Sequence, residues 1–214
     1  MIGLQRGVTG AVSELGTSKA AARIRAAAIE VFAAKGYGAA TTREIAASLD
    51  MSPGAVYPHY KTKESLLYAI SLEGHHSVLA AITAADSPDV AAPDRLTSTV
   101  TAYVIWHADN RASARVAQYE LRSLSPVHFA IIADIRRSTT KVFKRIIEAG
   151  ATAGDFHPFD IEAAALAITS LGVDVSRWFP SRAYSDPRII AARYVELALR
   201  MVGCADRQPL DEPS

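Results

Sequence analysis

The chain has 214 residues, half of them hydrophobic and 21% charged, enough apolar material for one mid-sized domain or a small domain fused to a larger one. A formal net charge of +1 says nothing by itself about nucleic acid, while the single cysteine, Cys204, excludes an internal disulfide and fits a reducing cytoplasm. No apolar run approaches the ~18 residues that cross a membrane, and the start lacks a secretory h-region, so the expectation is a soluble cytoplasmic protein.

Residues 1–16 read as a loose polar leader. Beyond them the periodicity is helical throughout, with no sustained strand-like alternation. Thr17 or Ser18 can cap a first helix whose apolar stripe is Ile24, Ala28, Val31 and Phe32, ending at Gly36. Thr41 with Glu44 three residues on is a capping box for a second helix, its inward face Ile45, Ala46 and Leu49. Ser52 followed by Pro53 is a cap plus first-position proline for a short third helix, about Pro53 to His59. Thr62 begins a longer fourth through Leu66, Leu67 and Ile70.

Around Asp86 to Pro93 the stretch SPDVAAPD is a loop by composition. Five more helical segments follow. Pro93 to about Ala108 carries Leu96, Val100, Tyr103 and Val104 on one side, and Asn110 to Leu124 groups Ala114, Ala117 and Leu121. Ser125–Pro126 opens a long helix striped with Ile131, Ile132, Ile135, Val142, Phe143, Ile146 and Ile147. Asp160 caps an alanine-rich helix running to Trp178, and Asp186–Pro187 opens the last, through Ile190, Tyr194, Leu197 and Met201 to Gly203. Residues 205–214 read as a flexible tail. The expected fold is all-α, with about nine helices.

The segment from Thr41 to Leu66 gathers side chains that suit DNA. Gly54 and Ala55 are small, so the backbone can approach a groove closely, while Ser52, Pro53 and Tyr57 flank them with a hydroxyl and an aromatic ring. His59, Tyr60, Lys61 and Lys63 follow where donors meet phosphate oxygens, and Thr42 and Arg43 open the preceding helix, whose free N–H groups suit an anion. Residues 1–65 hold eight Lys/Arg against five Asp/Glu, a modest positive bias where the reading head would lie. A plain helical hairpin with solvated tyrosines and lysines is the bland alternative for any one of these residues, but not for the ordered set.

From Ile24 through Leu67 the chain resembles the DNA-binding domain of the TetR family of transcriptional regulators. The matching pieces are A-x-x-V-F-A-x-K-G-Y ending at Tyr37, then T-T-x-E-I-A, S-P-G-A-V-Y and H-Y-K-T-K-E-S-L, in order and at the family's spacing. Two positions depart from the pattern. Asp50 replaces the usual turn glycine, and Pro58 lies within the recognition helix, where it removes one backbone donor and should distort the last turn.

The resemblance implies a helix-turn-helix domain over residues 17–62 and a ligand-binding and dimerisation domain over 63–204. It also implies a homodimer formed by the last two helices, double-stranded operator DNA as partner, and a small hydrophobic effector. ELRSLSP (Glu120–Pro126) and RWFP (Arg177–Pro180) further resemble a branch of that family whose effectors are acyl-CoA thioesters. Such a ligand needs an apolar cavity for its acyl part and cations for its phosphates. Tyr103, Trp106, Tyr119, Phe129, Phe143 and Trp178 are candidates for the first, Arg122 and Arg177 for the second. Aromatic residues at helical spacing are more often core than pocket, and Asp174 and Arg177, three apart, have each other as the simplest partners. The basic run from Arg136 to Arg145 reads as a solvated face.

Catalysis has little support. Glu73, His75 and His76 form the only tight cluster of metal-ligand type, too few for a closed site, and no nucleophile elbow, phosphate loop or dinucleotide-binding glycine pattern is present. Neither a metal nor a cofactor is expected. The alternatives to an effector-released repressor are an architectural or effector-independent DNA-binding protein and a ligand-dependent activator.

Overall fold

The computed structural model describes residues 18–204; the expected leader, the alternative cap Thr17 and the tail lie outside them. Among the described residues the regular structure is entirely helical. The eight α-helices are α1 (Lys19–Lys35), α2 (Thr42–Ala47), α3 (Lys63–Ala85), α4 (Ala92–Asp109), α5 (Arg111–Tyr119), α6 (Pro126–Ala153), α7 (Ile161–Trp178) and α8 (Pro187–Met201). Two one-turn 3₁₀ helices, Pro53–Val56 and Leu121–Ser123, complete the set.

The termini follow the chemistry of the sequence. The Ser18 hydroxyl accepts the Ala21 amide at 3.1 Å to start α1, and Gly36, with φ of 78°, ends it in the left-handed region. Around α2 the capping box forms in both directions: the Thr41 hydroxyl accepts the Glu44 amide and the Glu44 carboxylate accepts the Thr41 amide. Asp50 stands at φ 55°, so the turn after α2 does take the conformation that glycine usually supplies.

The third expected helix is not an α-helix. Only Pro53–Val56 is helical, as a 3₁₀ turn, and Tyr57–His59 continue as turn. Pro58 supplies the physical reason, because it has no N–H to give and its ring would strike the carbonyl four residues back. The chain instead tightens to three-residue spacing, with Tyr57 N–H donating to the Gly54 carbonyl and His59 N–H to the Val56 carbonyl.

The helices gather into two compact units. One holds the described residues through His76 together with Ala112–Ala133; the other holds Ser77–Arg111 and everything described from Asp134 onward. The first unit buries Ile24, Ala28, Phe32, Ile45, Val56, Leu66, Leu67 and Ile70. Amphipathic stripes on α1, α2 and α3 thus meet around one small core. In the second, α4 packs along α8 and α7 over Val100, Tyr103, Phe143, Ile146, Ile168 and Val195. Gly172 lets α7 approach closely: a Cβ there would overlap the Tyr103 ring. No described helix is long and apolar enough to cross a membrane.

Candidate nucleic-acid interface

Arg25 lies on the inward face of α1, one position from Ile24, and is buried. Its Nε donates to the Glu73 carboxylate at 2.6 Å and one terminal nitrogen donates to the Tyr60 hydroxyl at 2.7 Å. The Tyr60 hydroxyl in turn donates to the Ala21 carbonyl. A buried guanidinium needs such partners, and here they tie the residue that ends the recognition turn to both flanking helices. Burial pushes the Tyr60 phenol above its ordinary range, although its bond with Arg25 works the other way.

Two of the expected phosphate donors, Tyr60 and Lys63, already have partners within the unit. Tyr60 is 2% exposed, and its hydroxyl is spent inside the unit. The Lys63 ammonium has three protons, and they point at the carbonyls of Tyr37 (2.8 Å), Ala40 (2.9 Å) and Gly38 (3.4 Å). The same ammonium sits 4.3 Å from the centre of the Tyr37 ring. Lys63 fastens the turn between α1 and α2 to the start of α3.

What remains outward is a compact polar surface. Arg43, Ser52, Pro53, Gly54, Tyr57 and Lys61 are exposed; Thr42, Ala55 and His59 are half-buried. The Tyr57 hydroxyl stands 3.5 Å from the Thr42 hydroxyl, bringing the recognition turn and the first residue of α2 together. His59 Nδ1 lies 3.4 Å from the Ser18 hydroxyl. Nothing lies within 4 Å of the position a Cβ would take at Gly54, so the backbone there faces open space. At the start of α2 the capping box has already claimed two amides and placed a carboxylate. The Lys35 ammonium, then the Thr41 amide, hold the Glu44 carboxyl below its usual range. This helix start therefore offers less to an anion than expected from free N–H groups.

The residues expected to line an effector pocket are divided between the two units. Tyr119, Arg122 and Phe129 fall in the first unit, all exposed, whereas Tyr103, Trp106, Phe143, Arg177 and Trp178 fall in the second. Phe143 is fully buried in the core and meets Tyr103 edge to face at 5.4 Å. The Trp106 indole donates to the Ser77 hydroxyl at 3.0 Å. Trp178 packs edge-on against Phe179 and Tyr184, and Arg177 pairs with Asp174 through two bonds of 2.7 and 2.8 Å. A small recess of about 10 Å³ borders Tyr103, lined by Val100, Val104, Ile168, Leu171, Tyr194 and Met201 among others. It is almost wholly apolar and has room for a single water-sized sphere. Glu73 is engaged by Arg25, and no group of three metal-ligand side chains occurs among the described residues.

Sequence reasoning passed over three residues that organise the first unit: Arg25, Glu64 and His128. Arg25 was detectable by its helical register with Ala21, Ile24 and Ala28. Glu64 and His128 are sixty-four positions apart, and no local pattern joins them.

Two short helical elements joined by a tight turn, supported by α1 and presenting Thr42, Arg43 and Tyr57 outward, define a helix-turn-helix DNA-binding protein with an added helical domain. The bacterial regulatory protein tetR family matches residues 24–70, and the tetracyclin repressor-like C-terminal domain matches residues 89–202. The chain belongs to the TetR family of transcriptional regulators and acts as a DNA-binding regulator rather than an enzyme. It is similar to a bacterial regulatory protein in the tetR family from Rhodococcus RHA1, with 94% identity over 89% of this chain and 100% of that one, at a TM-score of 0.88. PfmR from Thermus thermophilus shares 28% identity over 86% of this chain and 100% of its own, with a TM-score of 0.77. AibR, solved with isovaleryl coenzyme A and operator DNA, shares the fold at 19% identity, covering 85% and 99% of the two chains with a TM-score of 0.73. No curated protein matches the chain.

Proposed function

We propose that this regulator is a homodimeric repressor that leaves a palindromic operator when a small hydrophobic effector binds. The carrying observation is the Thr42–Tyr57 pair beside the open backbone at Gly54. It offers two hydroxyls, a ring face and a close backbone approach to base edges, with Arg43, His59 and Lys61 placed around it for phosphates. Ser52, Pro53 and Ala55 shape the turn that carries Tyr57. A two-fold dimer sets one such head on each of two successive major grooves, about 34–36 Å apart along the duplex. Release follows when the heads no longer match that spacing, because affinity depends on engaging both half-sites together.

The dimer is supported by apolar residues left in the open on the last two helices: Leu166 and Leu171 on α7, Ile189 and Leu197 on α8. Isolated apolar residues are ordinary on a surface, but four on two neighbouring elements suit a partner subunit.

For the effector we propose an acyl-CoA thioester. Supporting it are the ELRSLSP and RWFP stretches, and AibR, of the same fold, carries such a ligand. The apolar space beside Tyr103 must open to admit an acyl chain, so ligand binding selects a more open conformation of the second unit. Trp106, Trp178 and Arg177 stand at the half-buried or exposed edges where a larger headgroup can be met.

The test is a footprint with the full-length protein on DNA recovered by selection. A discrete palindromic footprint that shrinks on adding short- or medium-chain acyl-CoA supports the reading. Uniform coating of any DNA sinks it in favour of an architectural role, and a footprint strengthened by the thioester makes the protein a ligand-dependent activator.

A further inference from the structure

The first unit contains one feature that the base-reading surface does not use. Its segment Glu120–His128, which joins α5 to α6, is bonded to the reading head at two places. Glu120 accepts the Tyr37 amide at 3.2 Å, in the turn that Lys63 also holds. Glu64, in the first turn of α3, accepts both the Ser125 amide at 2.8 Å and His128 Nδ1 at 2.7 Å. The His128 ring lies flat on Tyr68, 3.7 Å between centres and 6° from parallel. Four elements are thereby joined by charge-assisted bonds and one stack: the α1–α2 turn, the start of α3, the 3₁₀ turn at Leu121–Ser123, and the first turn of α6.

We infer that Glu64, with Glu120 and His128, forms a latch that fixes the reading head to the start of α6, so that the head cannot adjust on its own to the spacing of its DNA half-sites. Three observations carry this. Glu64 and His128 are each about a quarter exposed, so the pair is neither a solvated surface contact nor an inert core bond. Such partly buried bonds can break at modest cost. Burial alone would push the Glu64 carboxyl up, yet the Ser125 amide and His128 bring it below its ordinary range, as expected of a carboxylate committed to those donors. Finally, the latch closes on the start of α6, a helix continuous to Ala153, and on α3, continuous to Ala85. Both helices thus lead away from the latch into the residues of the second unit. Glu64 and His128 act as positioning residues and do not touch DNA.

The inference rests on the regulator reading above, and its test separates the two. Operator affinity is measured for the full-length wild type and for Glu64→Ala/His128→Phe, on the selected operator and on copies with about two base pairs inserted between half-sites. His128→Phe retains a ring to lie on Tyr68. Amide exchange at Ser125 and Tyr37 reads the latch without DNA. The expected result is fast exchange at Ser125 in the variant and a spacing penalty reduced from about a hundredfold to below about tenfold, with both proteins folded. A Glu64→Gln variant keeps an acceptor for Ser125 and should retain most of the wild-type penalty. An unchanged penalty in the double variant despite exposed Ser125 overturns the latch. Wild type that binds no selected operator overturns the regulator reading itself.

Discussion

Tyr57 and Tyr60 lie three residues apart and point opposite ways, 48% and 2% exposed. Under the proposed function the same side chain is a reader in one place and a strut in the other, decided by what surrounds its hydroxyl. Tyr57→Ala should therefore lower operator affinity by about 1–3 kcal/mol, seen as a roughly 5- to 150-fold rise in Kd, with the melting temperature unchanged. Tyr60→Phe should do the reverse in kind. It removes a buried bond to Arg25, lowers stability by roughly 1 kcal/mol in denaturant titration, and spares specificity. Lys63→Met belongs with Tyr60, because its ammonium bonds three carbonyls, and loss of melting temperature is the expected signature. A Lys63→Met protein that melts normally and binds DNA poorly would return this residue to the phosphate contacts.

At the scale of elements, the recognition turn and α7 show how one residue sets local geometry. Pro58 converts the expected third helix into a 3₁₀ turn, while Val56 stays buried against the helices that support it. In α7, Gly172 leaves the space that the Tyr103 ring from α4 fills. Gly172→Ala gains helix propensity of roughly 1 kcal/mol but overpacks a closed core, typically costing about 1–3 kcal/mol, so the clash should win or at best cancel. Calorimetry of that variant is the check; a clear rise in melting temperature would mean that Tyr103 has room to move. The sequence marked α7 as alanine-rich. The identity of the neighbour, Tyr103, came from packing, since nothing links positions 103 and 172 along the chain.

For the whole molecule, two expectations depend on many residues at once. If α7 and α8 form the subunit interface, Leu166→Glu/Leu197→Glu should yield a folded monomer by light scattering and lose most operator affinity, because one head holds DNA far less tightly than two. A dimer of unchanged mass would move the interface elsewhere. The second expectation concerns acid. Arg177 bonding holds the Asp174 carboxyl low, and Glu64 lies low because its donors outweigh burial. A folded-state value below the unfolded one means these groups add stability above the ordinary carboxylate range and lose it as pH falls through the folded value. Glu64→Gln should accordingly flatten the decline of melting temperature between about pH 5 and pH 3. An identical slope would show that the Ser125 and His128 bonds are already open in solution.

Local chemistry sufficed for much of this protein. Caps at Ser18, Thr41 and Asp160, the periodic apolar stripes, and the order of motifs between Ile24 and Leu67 determined an all-α chain with a helix-turn-helix head, since each signal acts within a turn or two of helix. Tertiary structure alone decided which polar groups are free to act. Burial of Tyr60, capture of the Lys63 ammonium and the joining of Glu64 to His128 each depend on residues tens of positions away. Long-range pairing is set by how whole helices pack, and that packing is invisible to periodicity because a helical face looks the same whichever neighbour covers it.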